Sequence, residues 1–446
     1  MKNVNSTIVA LATSQGIGAI SIVRMSGPDA INIADSMFLS LKNKRPSQFE
    51  PRKLELGTLS TKNFNEQILC VVFKAPFSFT GENLVEFQCH GGTKISEGVI
   101  LACLNAGAQL AQPGEFTKRA FLNGKITLES AEGMMSMISA QSNAEIRAGF
   151  NLLDGALGKI TKASQEKLVD LLSDIEVSFD YPEEDIEFIT KNKTEKAISG
   201  IKSELDSLIE TSQTGKQITQ GINLLILGEP NVGKSSLLNA LSGSERAIVT
   251  PIAGTTRDTI EQLIEIDGVK FNVIDTAGIH NTQDIVEQIG IDKAKEKIKS
   301  ADLILVLVDS SKKENEKDKE IKELTNKTNR IIVGNKIDLT SSPLQKADIF
   351  ISTKNISDVE SLKKLIYTKT VGEQITNGLV ITNLRHLDAL KRASAALDSA
   401  LKGINNSLDL ISIDLKTAYS ALGEITGSTT GEDIIDAIFS KFCLGK

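Results

Sequence analysis

Residues 228–236 read GEPNVGKSS. The run fits G-x-x-x-x-G-K-[ST], a spacing suited to holding phosphate. Gly228 and Gly233 free the backbone to turn tightly and bring its N–H groups to phosphate oxygens. Lys234 would neutralise the β- and γ-phosphates of a nucleotide, and the Ser235 hydroxyl would bind Mg²⁺. Asn231, Val232 and Ser236 complete the loop. A chance match on a glycine-rich turn would lack its flanks, but here the apolar run Ile222 to Leu227 precedes it and a helix-like run, Ser235 to Leu241, follows.

A selector for the base lies downstream. Asn335-Lys336-Ile337-Asp338 follows the apolar run Ile331 to Val333. The carboxylate of such an Asp accepts two hydrogen bonds, from the N1–H and the exocyclic amine of guanine. Adenine has no such donor pair, so GTP is expected over ATP. Asp275-Thr276-Ala277-Gly278 closes a third apolar run, Phe271 to Ile274. That Asp would sit beside Mg²⁺ and the Gly N–H would meet the γ-phosphate. Ser352-Thr353-Lys354, after Ile349 to Ile351, fits a last guanine-facing loop. Ligands of open parallel sheets gather at the carboxyl ends of strands. Four such elements, in order and each at a strand end, predict a GTPase domain.

The hydrolytic parts depart from the Ras pattern. There a Gln after the DxxG glycine orients the attacking water; here Ile279 stands in that place and cannot. Asn231 offers an amide oxygen that would help hold a monovalent cation beside the phosphates. Such a cation supplies the charge that an arginine finger supplies elsewhere. The segment Thr250-Pro251-Ile252-Ala253-Gly254-Thr255-Thr256-Arg257-Asp258 reads as the first switch, with threonine hydroxyls for Mg²⁺ and cation and a glycine hinge. Arg257 reads either as a finger or as a structural ion-pair partner.

These loops need a scaffold, and the 446 residues allow two to four domains. The charged fraction of 24% and apolar fraction of 40% are those of a globular chain. No apolar run reaches the length of a membrane span, and the N-terminus lacks the features of a signal or transit peptide. A cytoplasmic protein is expected. A net charge of −7 does not make the whole chain a nucleic-acid binder. The four cysteines, Cys70, Cys89, Cys103 and Cys443, form no CxxC pair, which argues against a zinc site or a disulfide frame.

The expected fold is multi-domain, α/β plus all-α. Residues 1–120 read as mixed α/β, with strand-like runs at Ser6 to Ala12, Ala19 to Met25, Ile68 to Phe73 and Leu84 to Cys89, and a helix from Asp29 to Phe38. Residues 121–215 and 374–446 read as helical, by their three- and four-residue apolar spacing. The GTPase unit, 216–373, is therefore expected as an insertion with a mostly parallel sheet, hung from one helical bundle built from both flanks. The mixed-charge run Lys312 to Glu323 reads as a solvated helix face.

Taken together, the chain resembles the MnmE (TrmE) family of tRNA-modification GTPases over essentially its whole length. The resemblance rests on STIVALATSQGIGAISIVRMSGP, FSFTGENLVEFQCHGG, QPGEFTKRAFLNGKITLESAE, FDYPEEDI, TPIAGTTRD, DTAGI, ITNLRH and the terminal Cys443-Leu444-Gly445-Lys446. It implies a homodimer that works with an FAD-dependent MnmG (GidA)-type partner, in a heterotetramer or larger complex, the flavin lying on that partner. Together they install a (carboxymethyl)aminomethyl group on C5 of the tRNA wobble uridine. The one-carbon unit comes from a tetrahydrofolate derivative (5,10-methylene or 5-formyl) held by the N-terminal domain, which also dimerises. By the same resemblance folate contacts fall on Arg24, Glu82, Lys125 and Lys446. K⁺ ligands fall on Asn231, Thr250, Ile252 and Thr255, and Mg²⁺ ligands on Ser235 and Thr256. The water-orienting acid falls on Glu287, and Cys443 takes part in the modification, beside Lys234 in hydrolysis. Without the resemblance, Arg24 and Lys125 read as surface charge, Glu82 as a turn residue, Glu287 as a helix carboxylate and Cys443 as a buried thiol on the last helix. An Era- or Der-type ribosome-assembly switch shares the GTPase block and is the alternative; such proteins carry a basic RNA-binding domain after it, which is not evident here.

Overall fold

The computed structural model describes residues 6–180, 186–243, 262–275, 296–372, 378–404 and 408–445. The chain divides into two compact units, one of residues 1–135, 152–172 and 416–446, the other of residues 136–151 and 173–415.

The first unit is built on a seven-stranded sheet. Its strands are β1 (Ile8–Leu11), β2 (Ile20–Ser26), β3 (Phe38–Ser40), β4 (Glu55–Ser60), β5 (Asn65–Phe73), β6 (Leu84–His90) and β7 (Gln109–Leu110), in the order β3-β4-β5-β6-β2-β1-β7. Every neighbouring pair is antiparallel except β1 and β7. Two helices, α1 (Ala30–Met37) and α2 (Thr93–Asn105), cover one face. Val23 and Met25 of β2 and Val85 and Phe87 of β6 meet Ile33, Met37, Val99 and Cys103 there. Alternation along the strands therefore sends Arg24, Ser26 and Glu86 to the opposite face. That face carries a small apolar cluster of Ile8, Ala10, Ala111 and Phe116, the last from α3 (Glu115–Leu122).

The remaining helices, in chain order, are α4 (Leu128–Ser139), α5 (Asn143–Leu153), α6 (Ala156–Asp180), α7 (Ile186–Glu210) and α8 (Ser212–Gln220). Glu129 is fully buried in α4, and its Oε1 accepts from the Gly158 N–H at 2.8 Å. A carboxylate there satisfies one of the orphan donors of the first turn of α6 and complements its dipole.

The second unit holds a six-stranded sheet of β8 (Ile222–Gly228), β9 (Gln262–Ile266), β10 (Val269–Asp275), β11 (Leu303–Asp309), β12 (Arg330–Asn335) and β13 (Ile349–Phe350). Its order is β13-β12-β11-β8-β10-β9, parallel throughout except for β9 against β10. β11, LILVLVD, is buried at every position, as a central parallel strand covered on both faces must be. One cover includes α9 (Lys234–Ser242) and α11 (Ile356–Thr370), through Leu237, Leu241, Leu362 and Ile366. α10 (Glu316–Leu324) lies on the other, through Ile321. The mixed-charge run thus is a solvated helix with one apolar anchor.

Elsewhere in this unit α12 (Leu384–Lys402) packs along α7, where Ser394 Oγ donates to Asp206 Oδ1 at 2.6 Å. The start of α5 is seated on the nucleotide sheet: Ala144 and Ala148 join its core, and Glu145 pairs with Lys270 of β10 at 2.8 Å, both side chains nearly buried. α13 (Leu408–Thr426) and α14 (Glu432–Phe439) end the chain. Phe439 and Phe442 pack with Leu128 and Ala131 in the first unit. Among the described residues no helix is long and apolar enough to cross a membrane.

Candidate nucleotide site and the Arg24 face

The nucleotide elements converge on one edge of the second unit's sheet. β8, β10, β11 and β12 end at Gly228, Asp275, Asp309 and Asn335, and β13 leads into Ser352. All are carboxyl ends of parallel strands, and β8 lies between β10 and β11. α9 begins at Lys234, so its free N–H groups and the positive end of its dipole face the loop Gly228–Gly233. Gly233 has φ 102°, and a Cβ there would stand 2.3 Å from Asn335 Nδ2. Only glycine fits that close approach. Lys234 Nζ donates to the carbonyls of Gly228 and Glu229, both at 2.9 Å, which curls the loop around its ammonium. Ser235 and Ser236 are exposed in the first helical turn. A cradle of this shape, with the Lys234 ammonium and exposed serine hydroxyls, fits a phosphate chain with Mg²⁺.

The base loop is locked to the phosphate loop. Asn335, fully buried, donates from Nδ2 to the Val232 carbonyl at 2.8 Å. Lys336 Nζ donates to the Asn231 carbonyl and to Asp309 Oδ2, each at 2.8 Å. Asn231 and Lys336 hold left-handed backbone, φ 65° and 63°. Such a conformation costs a non-glycine residue about 1–3 kcal/mol and is kept only where surrounding contacts fix it. Burial works to raise the Asp309 carboxyl, but hydrogen bonds from Lys336 and Ser311 and the Lys336 charge hold it below its ordinary value.

Asp338, the residue expected to select the base, receives Lys354 Nζ at 3.1 Å on one oxygen and Ser352 Oγ at 2.9 Å on the other. These bonds hold its carboxyl below the usual range. At neutral pH it is therefore ionised and purely an acceptor, which is what a guanine N1–H and amine require. Thr353 is half-buried between them in sequence.

In the first unit, Arg24 lies on the sheet face away from the core helices, together with Ser26, which bonds Glu82. Arg24 Nε donates to Glu86 Oε1 at 2.8 Å, and its guanidinium carbon lies 5.9 Å from the ring centroids of Phe79 and Phe116. Its Nη1 donates to the Gly445 carbonyl at 3.4 Å, so the C-terminal residues run past this arginine. Cys443 accepts from the Gly114 N–H at 3.3 Å through its carbonyl. The thiol of Cys443 is exposed and lies beyond the end of α14, whereas Cys70, Cys89 and Cys103 are buried. Burial pushes the Cys89 thiol up to about 11 and the Cys103 thiol to about 12, so neither is a thiolate at neutral pH. Lys125 donates to the Pro76 carbonyl at 3.0 Å and Asn123 to the Thr80 carbonyl at 2.7 Å, tying the turn before Glu82 to the end of α3.

Both Glu82 oxygens are engaged. Ser26 Oγ donates to Oε2 at 2.7 Å, and Arg119 Nη1 reaches both oxygens at 3.2 Å. Arg119 also donates to Glu115 Oε1 at 2.8 Å and to the Ser6 carbonyl at 2.6 Å, and is 3% exposed. Sequence reasoning missed it, though Glu115 and Arg119 at i,i+4 spacing in one short helix were a signal. Arg119→Ala would leave two carboxylates facing each other without compensation. We expect a loss of about 3–5 kcal/mol in urea unfolding; a loss below about 1 kcal/mol would mean the cluster is solvated and weak.

Compared with known proteins, residues 128–443 match the family model described as the MnmE helical domain, and residues 7–125 match the N-terminus of the GTP-binding protein TrmE. The tRNA modification GTPase MnmE of Alkaliphilus metalliredigens (strain QYMF) is 41% identical over 458 residues, covering 99% of each chain. That of Bacillus velezensis is 39% identical over 459 residues, covering 99% of this chain and 100% of the other. The chain belongs to the MnmE family of tRNA modification GTPases. A GTPase of this family is a GTP hydrolase. The Era- or Der-type alternative does not account for a match that includes the whole N-terminal segment. Among solved structures, Aquifex aeolicus Era with GDP and aluminium fluoride aligns at a TM-score of 0.26 and 25% identity, covering 39% of this chain and 66% of that one, an overlap too slight to carry weight.

Several expected residues lie outside the described residues: Thr250, Pro251, Ile252, Ala253, Gly254, Thr255, Thr256, Thr276, Ala277, Gly278, Glu287 and Lys446. Asp275 is described only as the end of β10, paired with Ile226 of β8. Asp309 was also missed, although a carboxylate ending an unbroken apolar strand at the ligand edge is a legible sign.

Proposed function

We propose that this chain is a K⁺-stimulated GTPase that takes part in building a (carboxymethyl)aminomethyl group on C5 of the tRNA wobble uridine. The observation that carries the hydrolytic half is the gathering of phosphate loop, base loop and Asp338 latch on one sheet edge. The tRNA half is supported by kinship along the full chain with proteins named tRNA modification GTPases.

GTP and Mg²⁺ would be held by Asn231, Val232, Gly233, Lys234, Ser235 and Ser236, with Asn335, Lys336, Asp338, Ser352, Thr353 and Lys354 on the base. Thr250 to Thr256 and Asp275 to Gly278 would complete the site, Thr256 joining Ser235 on Mg²⁺. K⁺ would be held by Asn231, Thr250, Ile252 and Thr255. The backbone carbonyl of Asn231 is already taken by Lys336, and its side chain is exposed, which suits a side-chain amide ligand. Glu287 would orient the water that Ile279 cannot. Bound tetrahydrofolate would supply the one-carbon unit. Arg24, Glu82, Lys125 and Lys446 would hold it, and the exposed Cys443 would take part in the modification. The running of residues 443–445 past Arg24 is consistent with this grouping. We assign residues 1–120 to folate binding and dimerisation, 121–215 and 374–446 to one helical domain, and 216–373 to the inserted GTPase domain. The chain would act in the cytoplasm as a homodimer with an FAD-carrying MnmG-type partner.

GTP turnover at equal ionic strength tests the cation role. Turnover in KCl is expected to exceed that in NaCl by roughly tenfold or more, as for a preorganised charge at the reacting phosphate. Equal rates would remove K⁺ from the account and Asn231 from its ligands.

A further inference from the structure

We propose that Asp309 is a positioning residue for the GTPase reaction, holding the guanine loop and the phosphate loop in one fixed register through Lys336. The proposal rests on the GTP reading of this site and does not depend on K⁺.

Every oxygen of Asp309 is engaged. Its carboxylate closes β11 at the ligand edge and its side chain is 7% exposed. Oδ1 accepts from the Ser311 N–H at 3.1 Å and the Ser311 hydroxyl at 2.6 Å. Oδ2 accepts from Lys336 Nζ at 2.8 Å. Its backbone carbonyl accepts from Gln345 Nε2, which also bonds the nearly buried Asp318. Asp309 is thus fixed from several directions and has no oxygen left to face solvent or nucleotide.

Lys336 is the element it controls. A lysine side chain is long and keeps its charge in water unless something directs it. Here the ammonium is bound between Asp309 and the Asn231 carbonyl. Both residues at the ends of the second bond hold left-handed backbone, the conformation least stable without external support. Asn335 makes a parallel bond to Val232. The base loop therefore holds the phosphate loop at two adjacent residues, and Asp309 orients one of the two. With that register fixed before GTP arrives, base and phosphates meet contacts already at the correct separation. Without it Lys336 turns to water and the Asn231 turn loses its brace.

The test is a double-mutant cycle on GDP affinity, measured by calorimetry with the full chain. Asp309→Asn keeps the shape and weakens the charged bond; the GDP dissociation constant is expected to rise roughly tenfold, as for loss of one charge-assisted hydrogen bond. Lys336→Met should cost as much or more. Since Asp309 acts through Lys336, the double variant should match Lys336→Met within about twofold. Ser311→Ala, which removes the hydroxyl bond to Oδ1 but keeps the backbone N–H bond, should shift GDP affinity in the same direction by less, and serves if Asp309→Asn does not fold. Unchanged GDP affinity in Asp309→Asn, or losses that multiply in the double variant, would overturn the proposal. A purely structural Asp309 would lower the melting temperature and give independent losses. Failure of wild type to bind GDP would instead strike the GTPase reading itself.

Discussion

Asp338→Asn is expected to convert the chain from a guanine to a xanthine nucleotide enzyme. The reason is a count of donors and acceptors. Ionised Asp338 offers two acceptors, matched to the N1–H and amine of guanine. Asparagine offers one acceptor and one donor, which suits xanthine, whose C2 carries a carbonyl in place of the amine. A site built around a hydrogen-bonding group rejects the mismatched ligand by large factors, about 10⁴ or more where the partner group is buried. Asp338 is partly exposed, so a smaller effect is expected here, a loss of roughly 10²-fold in kcat/KM for GTP with a gain for XTP. The amide oxygen can still accept from Lys354 and the amide NH2 can donate to the Ser352 hydroxyl, which also accepts, so the exchange should leave the loop folded. Turnover of GTP and XTP by the same variant checks it; equal loss for both would mean the side chain supports the loop and does not read the base.

Lys234→Ala should be the most damaging change to hydrolysis itself. Lys234 sits at the start of α9 with its ammonium inside the curl of the phosphate loop. Among the described residues it is the lysine placed by both the loop and the helix where phosphate charge would lie. Removing a single preorganised charge at a reacting centre costs about 10²–10³ in rate. GTP should suffer more than GDP, because only GTP has the γ-phosphate that the ammonium would help neutralise. Single-turnover hydrolysis together with GDP and GTP binding measures both arms. An equal fall for the two nucleotides, with a lowered melting temperature, would mean that Lys234 holds the loop and does no more.

Why some of this was legible in the sequence and some was not follows from the kind of interaction involved. The phosphate and base loops lie within short contiguous runs, because backbone turns and their adjoining strands are local features. β8 and β12 read clearly because a parallel strand buried on both faces is a nearly continuous apolar run, whereas β11 carries the same signal and was not read. β4, ELGTLS, was not read as a strand, since Gly57 interrupts it. The structure supplies the reason for that glycine: a Cβ would meet the Leu39 carbonyl oxygen at 2.3 Å and the Phe38 ring at 2.5 Å. β3 and β7 are short edge strands, and α2 was passed over because its apolar face is narrow, with Val99 and Cys103 the fully buried apolar members.

The networks were harder still. Arg119 gathers Glu82, Glu115 and Ser6, partners from three places in the chain. Asp309 reaches Lys336, and through it Asn231. No local period encodes such meetings; they exist only once the sheets have set which loops are neighbours. The sequence alone placed Glu82 as a turn residue, and its buried arginine partner came from the fold.

The central claim is that one-carbon chemistry and GTP hydrolysis reside on the same chain. Calorimetric titration of 5-formyltetrahydrofolate into the full-length protein tests it most directly, with Arg24→Ala as the comparison. Arg24 reaches Glu86 and the Gly445 carbonyl on the sheet face of the first unit that lies away from its core helices, so its loss should weaken a bound folate without touching the nucleotide edge. The account predicts saturable binding that Arg24→Ala weakens by roughly tenfold or more, with GTP turnover unchanged. Absence of folate binding in a folded chain that hydrolyses GTP would contradict it.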